Sequence, residues 1–421
     1  MNIALVTEHF DSGGLETHLQ GFIRCLQASG HNISLITGTS ARLEPLRGLI
    51  DGRILQLPIP NNPTGGLLLE LSRRIAAFSL EERCELLHVH PFASLLLGGL
   101  AAVEARLPFV VTLHGPRNMS LETGDIALEI LAQTVLSSAT RIFCVSADLI
   151  PEVQTIQPLA RCSPLPNGVD ARNSRAVTRQ PLGDWAIVTR LDRNKAMAAR
   201  HAIEALGSLP GRSFRIRVFG DGPARGELEA WVADQSYASR VSFAGFCDPL
   251  RDSLEEGYAG AAAMARSLLD VGVLGLPVLL AGYDGIKGLV RPEALSALRS
   301  VNYTGRGFPS LPSAELAVQV ADLDDHPEEY SLRAWILEQA DESQVWKAYI
   351  KEVVDSYPQG PLDFEEWTPL IRTLRDHPGR AVFCEETLIP LVPRDRVRQL
   401  RVRIVKRRMR SLLRMVTGNA R

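Results

Sequence analysis

Two cations, Arg190 and Lys195, directly follow the apolar run Trp185–Thr189 and open a helical stretch. A forked guanidinium beside a compact ammonium suits a diphosphate. Positive charge at a helix start opposes the helix dipole, so the pair calls for a compensating anion. Solvated surface charge is the plainer alternative. Gly13 and Gly14, within Asp11–Glu16, sit between an apolar run and a helical stripe. Glycines there let the backbone approach a ligand, and the free N–H groups of the next helix favour a phosphate. A tight turn with no ligand is equally compatible. His114 closes the run Phe109–Leu113, at the end of a strand where open parallel sheets bind ligands; a structural histidine is the alternative. His88 and His90 share one strand face by alternation, but no third ligand lies near them in sequence, so no metal site is expected. Arg266 and Asp270, four apart, share a helix face, and an ion pair is the simple reading.

The elements that must carry these groups follow from periodicity. Asn2–Thr7 is an opening strand, and Gly14–Ser29 is a helix with Leu15, Leu19, Phe22, Ile23 and Leu26 as its apolar stripe and Gly30 as its stop. Further strands are predicted at Ile33–Thr37, Leu86–Val89, Phe109–Leu113 and Arg141–Val145. After a hinge near Val169–Gly183, turned by Asn167-Gly168, the pattern restarts with strands Trp185–Thr189, Arg215–Phe219, Val241–Phe243 and Pro277–Leu280, with helices Ala198–Leu206 and Arg225–Ala233 between them. Gly220-Asp221-Gly222-Pro223 reads as a structural strand–helix joint. Alternating strand and helix signals imply parallel sheets covered on both faces, an α/β fold in two successive halves. Residues 328–356 read as helical. Residues 357–393, with five prolines, read as mostly irregular.

With 421 residues, 45% hydrophobic and 22% charged, the chain is sized for two or three globular domains, and a disordered or collagen-like polymer is excluded. The longest small-or-apolar run, Ala93–Val103, falls short of the ~20 residues of a bilayer span. Met1 leads directly into an apolar strand with no basic leader, so the expected location is cytoplasmic. The six cysteines form no C-x-x-C pair and imply neither a disulfide framework nor zinc. The net charge of −2 conceals an asymmetry: residues 394–421 hold 11 Lys+Arg against one acid, and the rest of the chain is acidic. A basic end of that kind favours a local anionic partner such as a membrane surface, peripheral on its inner face, and not nucleic acid.

Read in order, GGLETHL, VVTLHG, FCVSADLI, PNGVD, TRLDRNK, VFGDGPARGELE, VSFAGF and LLDVGVLGLPVLL resemble the stations of glycosyltransferase family 4, over about residues 1–290. The resemblance implies a GT-B fold, with two Rossmann-like domains facing across a cleft: an acceptor-side domain at 1–172 and a nucleotide-sugar domain at 173–335. A returning helix (Gln344–Ser356 is the candidate) and an irregular segment fill 336–393, and a basic amphipathic tail fills 394–421. It also implies a retaining, hexosyltransferase-type enzyme that takes a UDP- or GDP-sugar as substrate, with no cofactor and no metal. Gly13 and Gly14 would then meet the donor diphosphate, Arg190 and Lys195 would neutralise it, His114 would face the reacting sugar, and Arg266 and Asp270 would belong to the donor site, Asp270 standing where a ribose-binding Glu is usual.

The chain departs from the family pattern at three places. Ala262 occupies the first position of the Glu-x7-Glu signature, the segment before Arg266 is shortened, and Thr189 replaces a usual Gly. Some branches of the family share the Arg266/Asp270 arrangement. The acceptor implied is a glycan or lipid-linked precursor of cell-surface polysaccharide or lipopolysaccharide. In the tail, Val397, Leu400, Ile404, Leu412 and Val416 fall on one helical side, as an interfacial helix requires. A catalytically degenerate GT-B-like scaffold, or partner-binding subunit of a glycosylation complex, is the competing expectation, and an epimerase or phosphorylase on a related fold is a third.

Overall fold

The computed structural model describes the chain except for residues 11–13, 40–42, 44–45, 47, 51–53, 61, 91–92, 116–125, 248–249, 256, 356, 358–363, 390–396, 399–400, 403, 406–408 and 410–421. Its residues divide into two compact units, Met1–Leu165 with Trp346–Arg421, and Pro166–Val345. The division therefore precedes the 172/173 boundary expected from sequence. The reason is local: Val169 N–H donates to Ala340 O and Glu342 N–H donates to Val169 O, both at 2.9 Å, tying the Asn-Gly turn to the second unit.

The first unit is built on seven strands: β1 (Asn2–Val6), β2 (Asn32–Thr37), β3 (Ile54–Gln56), β4 (Leu86–Val89), β5 (Phe109–Leu113), β6 (Arg141–Cys144) and β7 (Cys162–Pro164). Their order is β3-β2-β1-β4-β5-β6-β7, all parallel. β1, β4 and β5 are apolar almost throughout, and all but Asn2 of their residues are buried, as strands covered on both faces must be. The helix Gly14–Ala28 packs its stripe of Leu19, Phe22, Ile23 and Leu26 with no exposure. The long apolar run of the sequence is the buried helix Ala93–Ala105. Among the described residues no helix is long and apolar enough to cross a membrane.

The second unit carries β8 (Trp185–Val188), β9 (Ile216–Phe219), β10 (Val241–Gly245), β11 (Gly260–Ala263), β12 (Val278–Gly282) and β13 (Gly285–Leu289), ordered β10-β9-β8-β11-β12-β13, with only β13 antiparallel. The glycines after β9 are needed for close approach. Gly220 has φ +145°, and a Cβ there would lie 1.7 Å from Thr189 O. That confirms the structural reading of the Gly-Asp-Gly-Pro joint. β11 is present in full, so the segment that looked shortened is a complete central strand joined to the next helix by Met264 and Ala265 alone.

Residues 357–393 are less irregular than their prolines suggested. Thr368–Asp376 forms a helix, and Trp367, Leu370 and Leu374 bury one side of it in the first core. Trp367 Nε1–H donates to Ser138 Oγ at 2.9 Å. Its indole lies where a Cβ on Gly99 would stand, 2.3 Å away. Gly65 and Gly66 N–H donate to the carbonyls of Arg380 and Pro378. In the tail, Val397 and Ile404 are buried in the first unit, so they do not belong to the exposed apolar face expected of them. Val402, Val405 and Met409 are exposed instead. Leu400, Leu412 and Val416 lie outside the described residues.

Candidate functional site

Each sheet reverses its strand order once, between β1 and β4 in the first and between β8 and β11 in the second. Beyond the carboxyl ends of such strands, adjacent loops diverge and leave a crevice where ligands bind. The sequence-predicted residues gather at these two rims, and each rim is described by itself.

At the first rim, His90 directly follows β4 and His114 directly follows β5. His18, on the helix Gly14–Ala28, comes beside them. His90 Nδ1 and His114 Nε2 are 3.1 Å apart, and the rings of His18 and His114 meet edge to face at 4.7 Å. Behind them His88, within β4, shares a hydrogen-bonded cluster with Thr112 Oγ1 (2.7 Å to Nε2) and Tyr349 Oη (2.5 Å to Nε2). Burial pushes His88 and His114 down to about 3, with the neighbouring His114 adding to the shift of His88. His90 is pushed well below the ordinary value by burial and then by the other histidines. Burial thus disfavours the charged form of all three. Gly14 is the first residue of its helix, and Gly13 lies outside the described residues.

At the second rim, β8 and β11 run in register, with Val188 opposite Ala263. The chain therefore delivers Arg190 and Arg266, just beyond those residues, to the same edge. Asp192 caps the helix Arg193–Gly207, its Oδ1 accepting from Lys195 N–H at 3.2 Å. Its Oδ2 takes Arg190 Nη2 at 3.2 Å. The anion that the cation pair called for is thus partly supplied by Asp192, while the Arg190 side chain stays 49% exposed and able to turn to a ligand.

Arg266 and Asp270 form the expected i,i+4 pair, Nε to Oδ1 at 3.5 Å. That distance is too long for a good hydrogen bond. Arg266 Nε and Nη1 are buried and make no hydrogen bond among the described residues. Asp270 is held above the usual carboxylate range because burial outweighs the opposing pull of Arg266. Glu342 raises it further and Lys195 lowers it, so four charges share this edge. Ala262 lies inside β11, unexposed and opposite Ile187 and Leu279. The place where the resemblance puts a glutamate is core.

Sequence reasoning missed His18, Tyr349, Glu342 and the backbone of Ala265. His18 had a signal, four residues after Gly14 on the helix that opens the rim. Tyr349 and Glu342 had none, being far from their partners in sequence.

Residues 12–173 match the model of Glycosyltransferase Family 4. A stretch of 116 residues, 23% of the chain, is 33% identical to a 2-deoxystreptamine glucosyltransferase of Streptomyces kanamyceticus, and spans 28% of that relative's length. In structure, 84% of the chain matches the whole of Anabaena Alr3699/HepE solved with UDP, at 18% identity and a TM-score of 0.63. The chain has a GT-B fold. The GT-B likeness extends to the pneumococcal O-GlcNAc transferase GtfA in complex with UDP and GlcNAc (12% identity, 85% and 99% of the two chains, TM-score 0.59). It also reaches the UDP-GlcNAc 2-epimerase of Methanocaldococcus jannaschii (10%, 84% and 100%, TM-score 0.53). At these identities the GT-B fold is what is shared, and the chemistry has to be argued from the site.

Proposed function

We propose that the protein is a retaining glycosyltransferase that moves a sugar from a UDP- or GDP-sugar to a glycan or lipid-linked acceptor of cell-surface polysaccharide or lipopolysaccharide. The observation that carries this reading is the cationic edge of the second unit. Two adjacent switch-point strands end in Arg190 and Arg266, with Lys195 close enough to act on Asp270, in a chain with the GT-B fold.

Cleavage between the anomeric carbon and the donor phosphate leaves negative charge on the diphosphate. Preorganised cations stabilise that charge as it develops. Arg190 and Lys195 hold the leaving group in this reading, and Asp270 accepts from the ribose hydroxyls. His114, neutral, meets the reacting sugar. The leaving phosphate takes the acceptor proton, so the scheme needs no protein nucleophile. No cofactor or metal is required by this scheme. The basic tail brings the enzyme to the membrane face where lipid-linked acceptors reside.

One observation favours a second reading. Ala262 is core and the connection to Arg266 is two residues long, which suits a scaffold that has given up donor chemistry. A panel of UDP-, GDP- and ADP-sugars, run with the parent chain and with Arg190→Ala and Lys195→Ala, separates the two. Transfer is expected with one donor and a loss of roughly tenfold or more in each variant at unchanged melting temperature. Absence of turnover and of calorimetric nucleotide binding by the folded chain would instead establish the scaffold.

A further inference from the structure

We infer that His18, His90 and His114 form a binding site for one divalent transition-metal cation of the zinc type. The three side chains come from separate elements, and one ring nitrogen from each lies within 4.8 Å of the others. The His90–His114 nitrogens are 3.1 Å apart. The ring centroids form a triangle of 4.7, 5.4 and 6.1 Å. Two imidazole nitrogens on a tetrahedral zinc, each at about 2.0–2.1 Å, stand roughly 3.4 Å apart, so the spacing found needs only small ring rotations to close on an ion.

The donor chemistry selects the class of cation. Three imidazoles with no carboxylate among them suit zinc, copper or nickel and do not suit magnesium or calcium, which require oxygen ligands. His90 is unexposed, and its Nδ1, 3.1 Å from His114 Nε2, is the nitrogen turned to the cluster. Aromatic rings pack against the cluster. His88 lies against His90 at 4.3 Å between centroids, and Trp346 stands edge-on to His18 at 4.6 Å. His114 is the least buried of the three. The histidine pair that lacked a third ligand in sequence gains one from a helix and one from the next strand, with His88 left behind as support. This site does not depend on the sugar-transfer reading.

The test uses the full chain, freed of metal with a chelator. Cobalt(II) is expected to bind at about one equivalent with the visible absorption of a four-coordinate nitrogen site, and zinc is expected to displace it. His18→Gln and His90→Gln should each weaken zinc binding by roughly 10- to 100-fold, while His9→Ala, at an exposed histidine, should leave it unchanged. Because a buried histidine variant can unfold the chain, the unaltered protein provides a second measurement: zinc, and not magnesium, should raise its thermal midpoint. No zinc binding at 100-fold excess, binding that survives both substitutions, or a thiolate-to-cobalt charge-transfer band marking a cysteine site would each overturn the inference.

Discussion

The histidines of the first rim bear on stability as much as on chemistry. His88 and His114, held to about 3 by burial, stay neutral in the folded chain. In the unfolded chain each takes a proton below about 6.5. Between those limits the unfolded state binds more protons, so stability falls as pH falls, by up to about 1.4 kcal/mol per pH unit for each histidine. The contribution is whole above about pH 6.5 and has dropped by about 2 kcal/mol per histidine at pH 5. Most carboxylates titrate lower, so the window from pH 7.5 to 5 isolates the effect. Urea midpoints measured across it should decline steadily. A flat profile would mean that the rings are already solvated or charged in the native state.

At the level of elements, the joint between β11 and the helix Arg266–Gly272 concentrates the conflict between sequence and shape. Ala265 sits at φ 53°, ψ −135°, a region that glycine enters freely and a Cβ resists. It is held there because Ala265 N–H donates to Tyr303 O and its carbonyl accepts from Leu268 N–H. Ala265→Gly should therefore stabilise the chain by about 1 kcal/mol, visible as a rise in melting temperature with the Arg266 side chain unmoved. A loss of stability would show that the strain is not there. No propensity rule announces such a residue. What periodicity did announce was the doubly wound sheets, because strands buried on both faces are continuous apolar runs and their helices carry one stripe. β3 and β7, three residues each, are too short to leave a pattern. The helix Thr368–Asp376 was hidden by flanking prolines, although Trp367, Leu370 and Leu374 hold helical spacing. The cations of the second rim were legible because they directly follow strands. The third histidine of the first rim left only its place four residues after Gly14, and only the fold brings that helix against two strand ends.

For the molecule as a whole, charge is distributed between an acidic body and a basic end. The tail does not hang apart from the first unit: Val397 and Ile404 are buried, Ile404 within the first core. That anchoring leaves the described helical residues Val402, Val405 and Met409 at 49%, 55% and 57% exposure, spaced i, i+3, i+7 in a segment dense in arginine. Exposed apolar side chains in a stretch of sequence rich in Lys and Arg fit the interface of an anionic bilayer, where each basic residue contributes about 1 kcal/mol. The full chain should co-sediment with vesicles rich in phosphatidylserine or phosphatidylglycerol and not with phosphatidylcholine alone, and should release as salt rises. Truncating the tail would strip Ile404 from the core and confuse stability with binding. Val402→Ser with Val405→Ser is the cleaner change, because both side chains face out, and should weaken vesicle partitioning roughly tenfold without lowering the melting temperature. Equal partitioning of the parent chain onto neutral and anionic vesicles would remove the membrane role, whatever the double variant did.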